Sequence, residues 1–347
     1  VSWISPKRLK HLGILGMNCR NRDFIGHYNN RELFPLVDDK LQTKLLTEAH
    51  GLATPQLLFV VREQHAISQI EGSLKDLEGF AIKPAKGSGG KGILVVTGRR
   101  GDRFIKASGT EIGIEEIRRH MSNTLAGLYS LGGTPDVVIV EELIEFDETF
   151  RGYSHEGVPD IRVVVFRGYP IMAMVRLATH ASDGKANLHQ GAVGVGLDIA
   201  SGRCLKAVQF GSEVTQHPDT QRPLNAIKVP DWHELMVLAA RCYDMTGLGY
   251  IGTDIVLDKT RGPQLLELNA RPGLAIQVAN GMGLLPRLRH IEALDSRRHK
   301  TPQERVDYVM EHFDGRALPQ PKRASIRQRL RAMLQPATPG LRSRGLG

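Results

Sequence analysis

The chain has 347 residues, 41% hydrophobic and 24% charged, which suits a globular protein of one large domain or two to three lobes. No run reaches the ~18 apolar residues of a membrane span, and the broken apolar stretch after the basic opening predicts no signal peptide. The net charge of +9 lies almost wholly in the tail, where Gly315 to Gly347 holds eight Lys or Arg and no acid. The near-neutral body, 5% aromatic content and absence of a base-stacking motif argue against nucleic-acid binding as the main activity.

Three scattered cysteines (Cys19, Cys204, Cys242) support neither a disulfide framework nor a zinc site, so a reducing, cytoplasmic setting is expected. The tail reads as a solvated extension, with a short basic helix over Ser325 to Leu334, or as a docking segment for acidic lipid, nucleic acid or a partner protein.

In chain order, residues 1–36 form a basic, Asn-rich segment too short for an independent α/β domain. The spacing predicts a helix over Asp38 to His50, with Leu41, Leu45, Leu46 and Ala49 on its inner side and Gly51 as its stop. Strand-like runs follow at Leu57 to Val61, Phe80 to Lys83 and Ile93 to Val96, then a helix over Ile114 to Tyr129 and a buried strand at Val137 to Val140. Further on, Ile161 to Phe166 and Ile171 to Leu177 flank a turn at Arg167 to Pro170. A Gly-rich section, Gly191 to Leu197, precedes a helix over Trp232 to Thr246. Two strands, Gly252 to Leu257 and Gln264 to Leu268, close the pattern, which reads as α+β in two lobes.

Four stretches carry chemistry. Between the strand ending at Lys83-Pro84 and the one beginning at Ile93 lies a loop containing Gly87, Ser88, Gly89 and Gly90. Its glycines can turn backbone N–H groups toward an anion, flanked by lysines. It lacks Walker A spacing and opens no helix, so an anion cradle and a flexible hairpin with solvated lysines both fit. The second stretch holds Asp254, Glu267 and Asn269. Glu267 and Asn269 are two apart on a strand and share a face. A hairpin would bring Asp254 alongside, giving hard oxygen donors suited to magnesium that bridges nucleotide phosphates. The third, Glu141, Glu142, Leu143 and Ile144, ends an apolar strand and could pair an adenine edge through its backbone. The fourth is a set of polar residues among apolar ones: Asp160 and Arg162, Arg176, and Asn187 to Gly191. Singly, each reads as a surface ion pair.

Taken in order, these pieces resemble the ATP-grasp superfamily over roughly Val37 to Pro286. The DxR at Asp160 to Arg162, the Asn187-x-His189-x-Gly191 stretch and the Glu267-x-Asn269-x-Arg271-Pro272-Gly273 ending are similar to α-L-glutamate ligases. The opening Leu15 to Asn18 and Tyr28 to Lys40 look most like the α-L-glutamate ligase-like branch. The resemblance implies two α/β lobes holding ATP between them: a first lobe over 37–140 with the lid loop, and a second over 141–300 with the metal site. A helix and basic tail would fill 301–347, and residues 1–36 would stand in place of a full pre-grasp domain.

It further implies that Lys40 and Lys83 hold the nucleotide phosphates, that Gly87 to Gly90 form a mobile lid, and that Glu141 to Ile144 form the adenine hinge. Glu148 would bind the ribose. Arg162 and Arg176 would contact the γ-phosphate or an acyl phosphate, and Asn187 and Arg271 would border the acceptor pocket. Asp254, Glu267 and Asn269 would hold two magnesium ions, for which manganese can substitute. The activity expected is an ADP-forming acid–amino-acid ligation, with amino acids or peptides as substrates and glutamate as one candidate. A phosphotransferase or a non-catalytic ATP-binding interaction protein are the alternatives. The short N-terminal segment suggests a partner chain in place of the pre-grasp domain, and a homo-oligomer is left open. The stretch Asp147 to Pro159 is longer and more polar than relatives lead one to expect. It predicts a loop on the substrate side.

Overall fold

The computed structural model describes residues 5–87, 89–155, 157–295 and 300–315. Ser88 of the glycine loop, the Ser325 to Leu334 segment and the basic tail therefore lie outside the described residues.

The first sheet is antiparallel throughout, in the order β1-β6-β2-β3-β4-β5. Its strands are β1 (Leu57–Val61), β2 (Phe80–Pro84), β3 (Leu94–Arg100), β4 (Arg103–Lys106), β5 (Glu111–Ile112) and β6 (Val138–Glu142). β6 is the last in sequence yet lies between β1 and β2, and its uninterrupted apolar run Val138, Ile139, Val140 is buried on both faces. One face packs on helix Ile114–Leu125, through Ile117, Met121 and Leu125. That helix stops short of the predicted Tyr129, because Gly127 takes a positive φ where a Cβ would meet the Thr134 carbonyl oxygen at 2.4 Å.

The other face packs on helix Lys40–Ala49, which begins where the Asp39 carboxylate accepts hydrogen bonds from the Leu41 and Gln42 amides. Its inner side differs from the expected leucine stripe. Leu41, Thr43, Lys44 and Thr47 are buried, whereas Leu45 and Ala49 are exposed. The helix is rotated so that a lysine faces inward, and the cause is a buried carboxylate described below.

The second sheet has the order β11-β10-β9-β8-β7-β12-β13. It comprises β7 (Asp160–Phe166), β8 (Tyr169–Leu177), β9 (Val193–Leu197), β10 (Cys204–Gln209), β11 (Ser212–Glu213), β12 (Tyr250–Asp258) and β13 (Gly262–Asn269). The hairpin joining β7 and β8 turns through Arg167 and Gly168, both at positive φ. The Gly191 to Leu197 section contains a strand that composition obscures. Its glycines are required by packing: a Cβ on Gly196 would lie 2.4 Å from the Ala279 carbonyl oxygen, on the helix Ile276–Asn280 laid directly over β9.

Helix Trp232–Thr246 covers the same sheet, and so does the N-terminal segment, which contributes Leu15, Phe24 and Ile25 to the second core. The buried Asn29 side chain accepts from the Tyr250 amide and donates to its carbonyl, each at 2.8 Å, so this segment is stitched to the start of β12. Among the described residues no helix is long and apolar enough to cross a membrane.

Candidate active site

The helix Lys40–Ala49 stands between the two sheets, and side chains four apart on it reach one sheet each. Toward the first sheet, Lys44 Nζ lies 3.0 Å from Glu141 Oε1, while Lys83 Nζ on neighbouring β2 lies 2.5 Å from Glu141 Oε2. The register places Ala81 opposite Glu141, so Lys83 reaches it diagonally from two residues along β2. Lys44 also donates to Thr54 Oγ1 and to the Pro55 carbonyl, both at 2.6 Å. Burial alone would raise the Glu141 carboxyl, but the two ammonium groups outweigh it and hold the acid below its ordinary value. Burial lowers Lys44, with Glu141 opposing.

Toward the second sheet, Lys40 Nζ sits 3.3 Å from Glu267 Oε1 and donates to the Gly87 carbonyl at 2.6 Å. One ammonium thereby ties the glycine loop to the acidic end of β13. The loop is anchored at its start by the Lys86 amide, 3.0 Å from each oxygen of Asp136, and at its end by His120, whose Nε2 is 3.0 Å from the Gly92 carbonyl. Gly89 and Gly90 between these anchors have positive φ and face open space.

Asp254 lies directly opposite Glu267 in the β12–β13 ladder and opposite Arg162 on β7. Leu266 forms a bulge in β13, after which Glu267 and Asn269 emerge on the face that carries Asp254. Arg162 binds Asp254 through two nitrogens, with Nη2 to Oδ2 at 2.6 Å. Arg176 binds Asp160 at 2.5 and 2.6 Å and reaches Asp254 at 2.8 Å. The four groups form an alternating charge network in which Asp160, Arg162 and Asp254 are buried and Arg176 is half-buried. Burial, with the neighbouring Asp254 charge, pushes Asp160 up to about 6 against the pull of Arg176. Asp254 also feels burial, but holding two arginines it falls below its ordinary value.

Where the cation contacts differ from expectation, the reason is geometric. The Glu141 side chain points into the lysine pair, leaving the hinge reading to its backbone and to Leu143 and Ile144, which lie beyond the end of β6. Glu142 pairs with Arg261 at the β12–β13 turn, and the Lys259 amide donates to the Glu145 carbonyl at 2.7 Å, so the segment after β6 crosses from one sheet to the other. Glu148 is exposed and pairs with Arg151 at 3.1 Å.

Asn187 caps a short turn by accepting from the His189 amide, and among the described residues no hydrogen bond joins it to the charge network. Arg271, two residues past the end of β13, stacks over Phe34 and pairs with Asp38 at 3.0 Å, just before helix Lys40–Ala49. Among its described residues the Asp147 to Pro159 stretch is irregular apart from the short turn Glu148–Phe150, and Phe150 and Tyr153 anchor it in the second core. Sequence reasoning did not single out Lys44. The available signal was its position one helical turn after Lys40.

Two antiparallel sheets clasping a lysine-bearing helix and a glycine loop make this an α+β protein of the ATP-grasp fold. Within that class, the chain belongs to the sugar-transfer associated ATP-grasp family, whose model matches residues 19–293. Kinship to the α-L-glutamate ligase-like branch is carried by the sequence motifs alone.

Solved structures similar to it include the D-cycloserine synthetase DcsG, 14% identical over 85% of this chain and 80% of that one, with a TM-score of 0.41. D-alanine–D-alanine ligase from Bacillus anthracis in complex with ATP is 14% identical over 80% and 67%, with a TM-score of 0.40. The ATP-grasp ligase PsnB with its minimal precursor is 14% identical, with a TM-score of 0.39; the match covers 82% of this chain and 62% of the PsnB chain. None of the curated proteins matches the chain by sequence.

Proposed function

We propose that the chain is an ATP-dependent carboxylate–amine ligase that forms an amide bond through an acyl phosphate and releases ADP. The observation carrying this reading is the Lys40 ammonium, which bridges the Gly87 carbonyl of the loop and Glu267 of the acidic face. A polyphosphate lying under the loop would meet Lys40 and Lys83 on one side and the acidic face on the other. Leu143 and Ile144 would present backbone to the adenine, and Glu148 would take the ribose.

Asp254, Glu267 and Asn269 place two carboxylates and an amide oxygen on one face, hard donors of the kind magnesium takes; both Asp254 oxygens are bound by arginine here, so it would join the set by giving up an arginine contact. The ions they would hold offset the negative charge of the phosphates. The chain's own cations would do the same. Arg162 and Arg176 are oriented by Asp160 and Asp254, so their guanidinium groups are set before any substrate arrives. In the proposed sequence a substrate carboxylate oxygen attacks the γ-phosphorus and the bond to ADP breaks. The amine of the second substrate then attacks the acyl carbon, loses a proton and displaces inorganic phosphate. Positioning between two rigid sheets supplies much of the acceleration.

Asn187 and Arg271 border the proposed acceptor side, and glutamate as the added amino acid rests on the motif resemblance. A docked partner chain and a homo-oligomer belong to the same proposal. The test is phosphorus NMR of the protein with ATP, magnesium and pools of amino acids, peptides and amino sugars, with mass spectrometry of the products. ADP and inorganic phosphate that appear only with particular acceptors, alongside a new amide mass, support the ligase. A lasting phosphorylated product would replace it with a phosphotransferase, and binding without turnover across the pools would favour a non-catalytic ATP-binding role.

A further inference from the structure

Lys44 and Lys83 both touch Glu141, but their other bonds divide them into two kinds. An ammonium group has three donors. Lys44 commits all three inside the protein, to Glu141, Thr54 and Pro55, and its side chain is 4% exposed. It has nothing left for a ligand. Lys83 is 14% exposed, and among the described residues Glu141 is its one charged or hydrogen-bonding partner. Two donors of Lys83 therefore remain for something outside the fold.

We propose that Lys44 is a positioning residue for the nucleotide site, a permanent counter-charge that keeps Glu141 neutralised so that Lys83 can be shared with an incoming phosphate. This rests on the reading of Lys83 as a phosphate ligand. The reason is electrostatic. A buried carboxylate needs a cation, and removing one partner of such a pair is costly. With Lys44 in place, Glu141 keeps a cation when Lys83 turns part of its bonding toward phosphate. Without Lys44 the whole charge of Glu141 would fall on Lys83 and hold it back from the ligand. Thr54 and Pro55 fix Lys44 from behind. Thr54 Oγ1 itself donates to the Leu265 carbonyl on β13 at 2.9 Å, so the counter-charge is braced against the second sheet as well.

The experiment is calorimetric titration of the full-length protein with a magnesium-bound, non-hydrolysable ATP analogue, in four variants, each checked for folding by thermal denaturation. Lys44→Met is expected to bind the analogue roughly tenfold more weakly, the worth of one charge-assisted hydrogen bond. The double variant Lys44→Met/Glu141→Gln is expected to recover most of that loss, since the carboxylate that traps Lys83 is gone. Thermal denaturation separates this from support of the fold: a merely structural Lys44 would show loss and rescue in melting temperature, with affinity unchanged in protein that remains folded at the titration temperature.

Lys44→Gln, which keeps a donor toward Thr54, replaces methionine if that variant unfolds, with the same rescue expected. Wild-type affinity in Lys44→Met, or a double variant no better than the single, would overturn the proposal. Lys83→Ala separates this from the underlying reading. Unchanged binding there would remove Lys83 from the phosphate site, whereas weakened binding in Lys83→Ala with none in Lys44→Met would remove only the role of Lys44.

Discussion

Asp254 and Glu267 face each other across the β12–β13 ladder, yet they are held by different cations: Asp254 by Arg162 and Arg176 from within the second sheet, Glu267 by Lys40 from the helix between the sheets. Asp254 is buried and built into the network, whereas the Glu267 side chain is 41% exposed. Substitutions at the two positions should therefore part company in stability while agreeing in activity.

Glu267→Gln is expected to abolish magnesium-dependent ATP turnover and leave stability within about 1 kcal/mol, as for other partly exposed pairs. Asp254→Asn is expected to abolish turnover too, but to cost roughly 3 kcal/mol because it strips a buried arginine of its charged partner. Phosphate release and urea denaturation read the two effects. Wild-type turnover in either variant would remove that residue from the metal face.

Lys40 donates to the loop and pairs with the acidic face at once. Lys40→Met should weaken binding of an ATP analogue by roughly tenfold, and limited proteolysis should cut faster near Gly87, since the anchoring donor is lost. Equal affinity and equal cleavage would show that the bridge has no part in holding either partner.

The buried Asp160 carboxyl is raised to about 6, above the roughly 3.9 of an unfolded chain. The folded state then binds this proton more tightly, so the contribution to stability is fully present below the unfolded value and is lost as pH rises through about 6. Compared with Asp160→Asn, the wild-type melting temperature should gain as pH falls from about 7 to about 4. A difference that stays constant across that window would mean Asp160 is ionised throughout.

Gly196 lies where the helix Ile276–Asn280 crosses β9, and an added Cβ would come within 2.4 Å of a backbone oxygen. Gly196→Ala should cost about 1–3 kcal/mol through overpacking. Gly89→Ala and Gly90→Ala, at positive φ in open space, should instead act on the loop and on nucleotide binding more than on global stability. Urea midpoints with and without the ATP analogue distinguish the two kinds of glycine.

The amino-acid sequence by itself determined the residues bearing charge and the order of eight strands and three main helices, but not β4, β5, β9, β10 or β11. Val137 to Val140 announced a buried strand, observed as Val138–Glu142, Trp232 to Thr246 a helix with the bounds observed, and Glu267 with Asn269 a shared face, because each depends only on local periodicity. The motifs also placed the chain in the ATP-grasp superfamily before any contact was known. Strand β9 stayed hidden because its glycines answer to a helix about 80 positions later, across a packed surface.

Partnership was the other thing that only the tertiary structure decided. Lys44 lies off the leucine stripe through Leu45 that is the better local pattern. A buried carboxylate on β6, 97 positions away in the chain, reverses that choice, because leaving Glu141 without cations costs more than exposing Leu45. Charge pairing of this kind is decided by what the folded chain brings opposite. No window of sequence contains both partners.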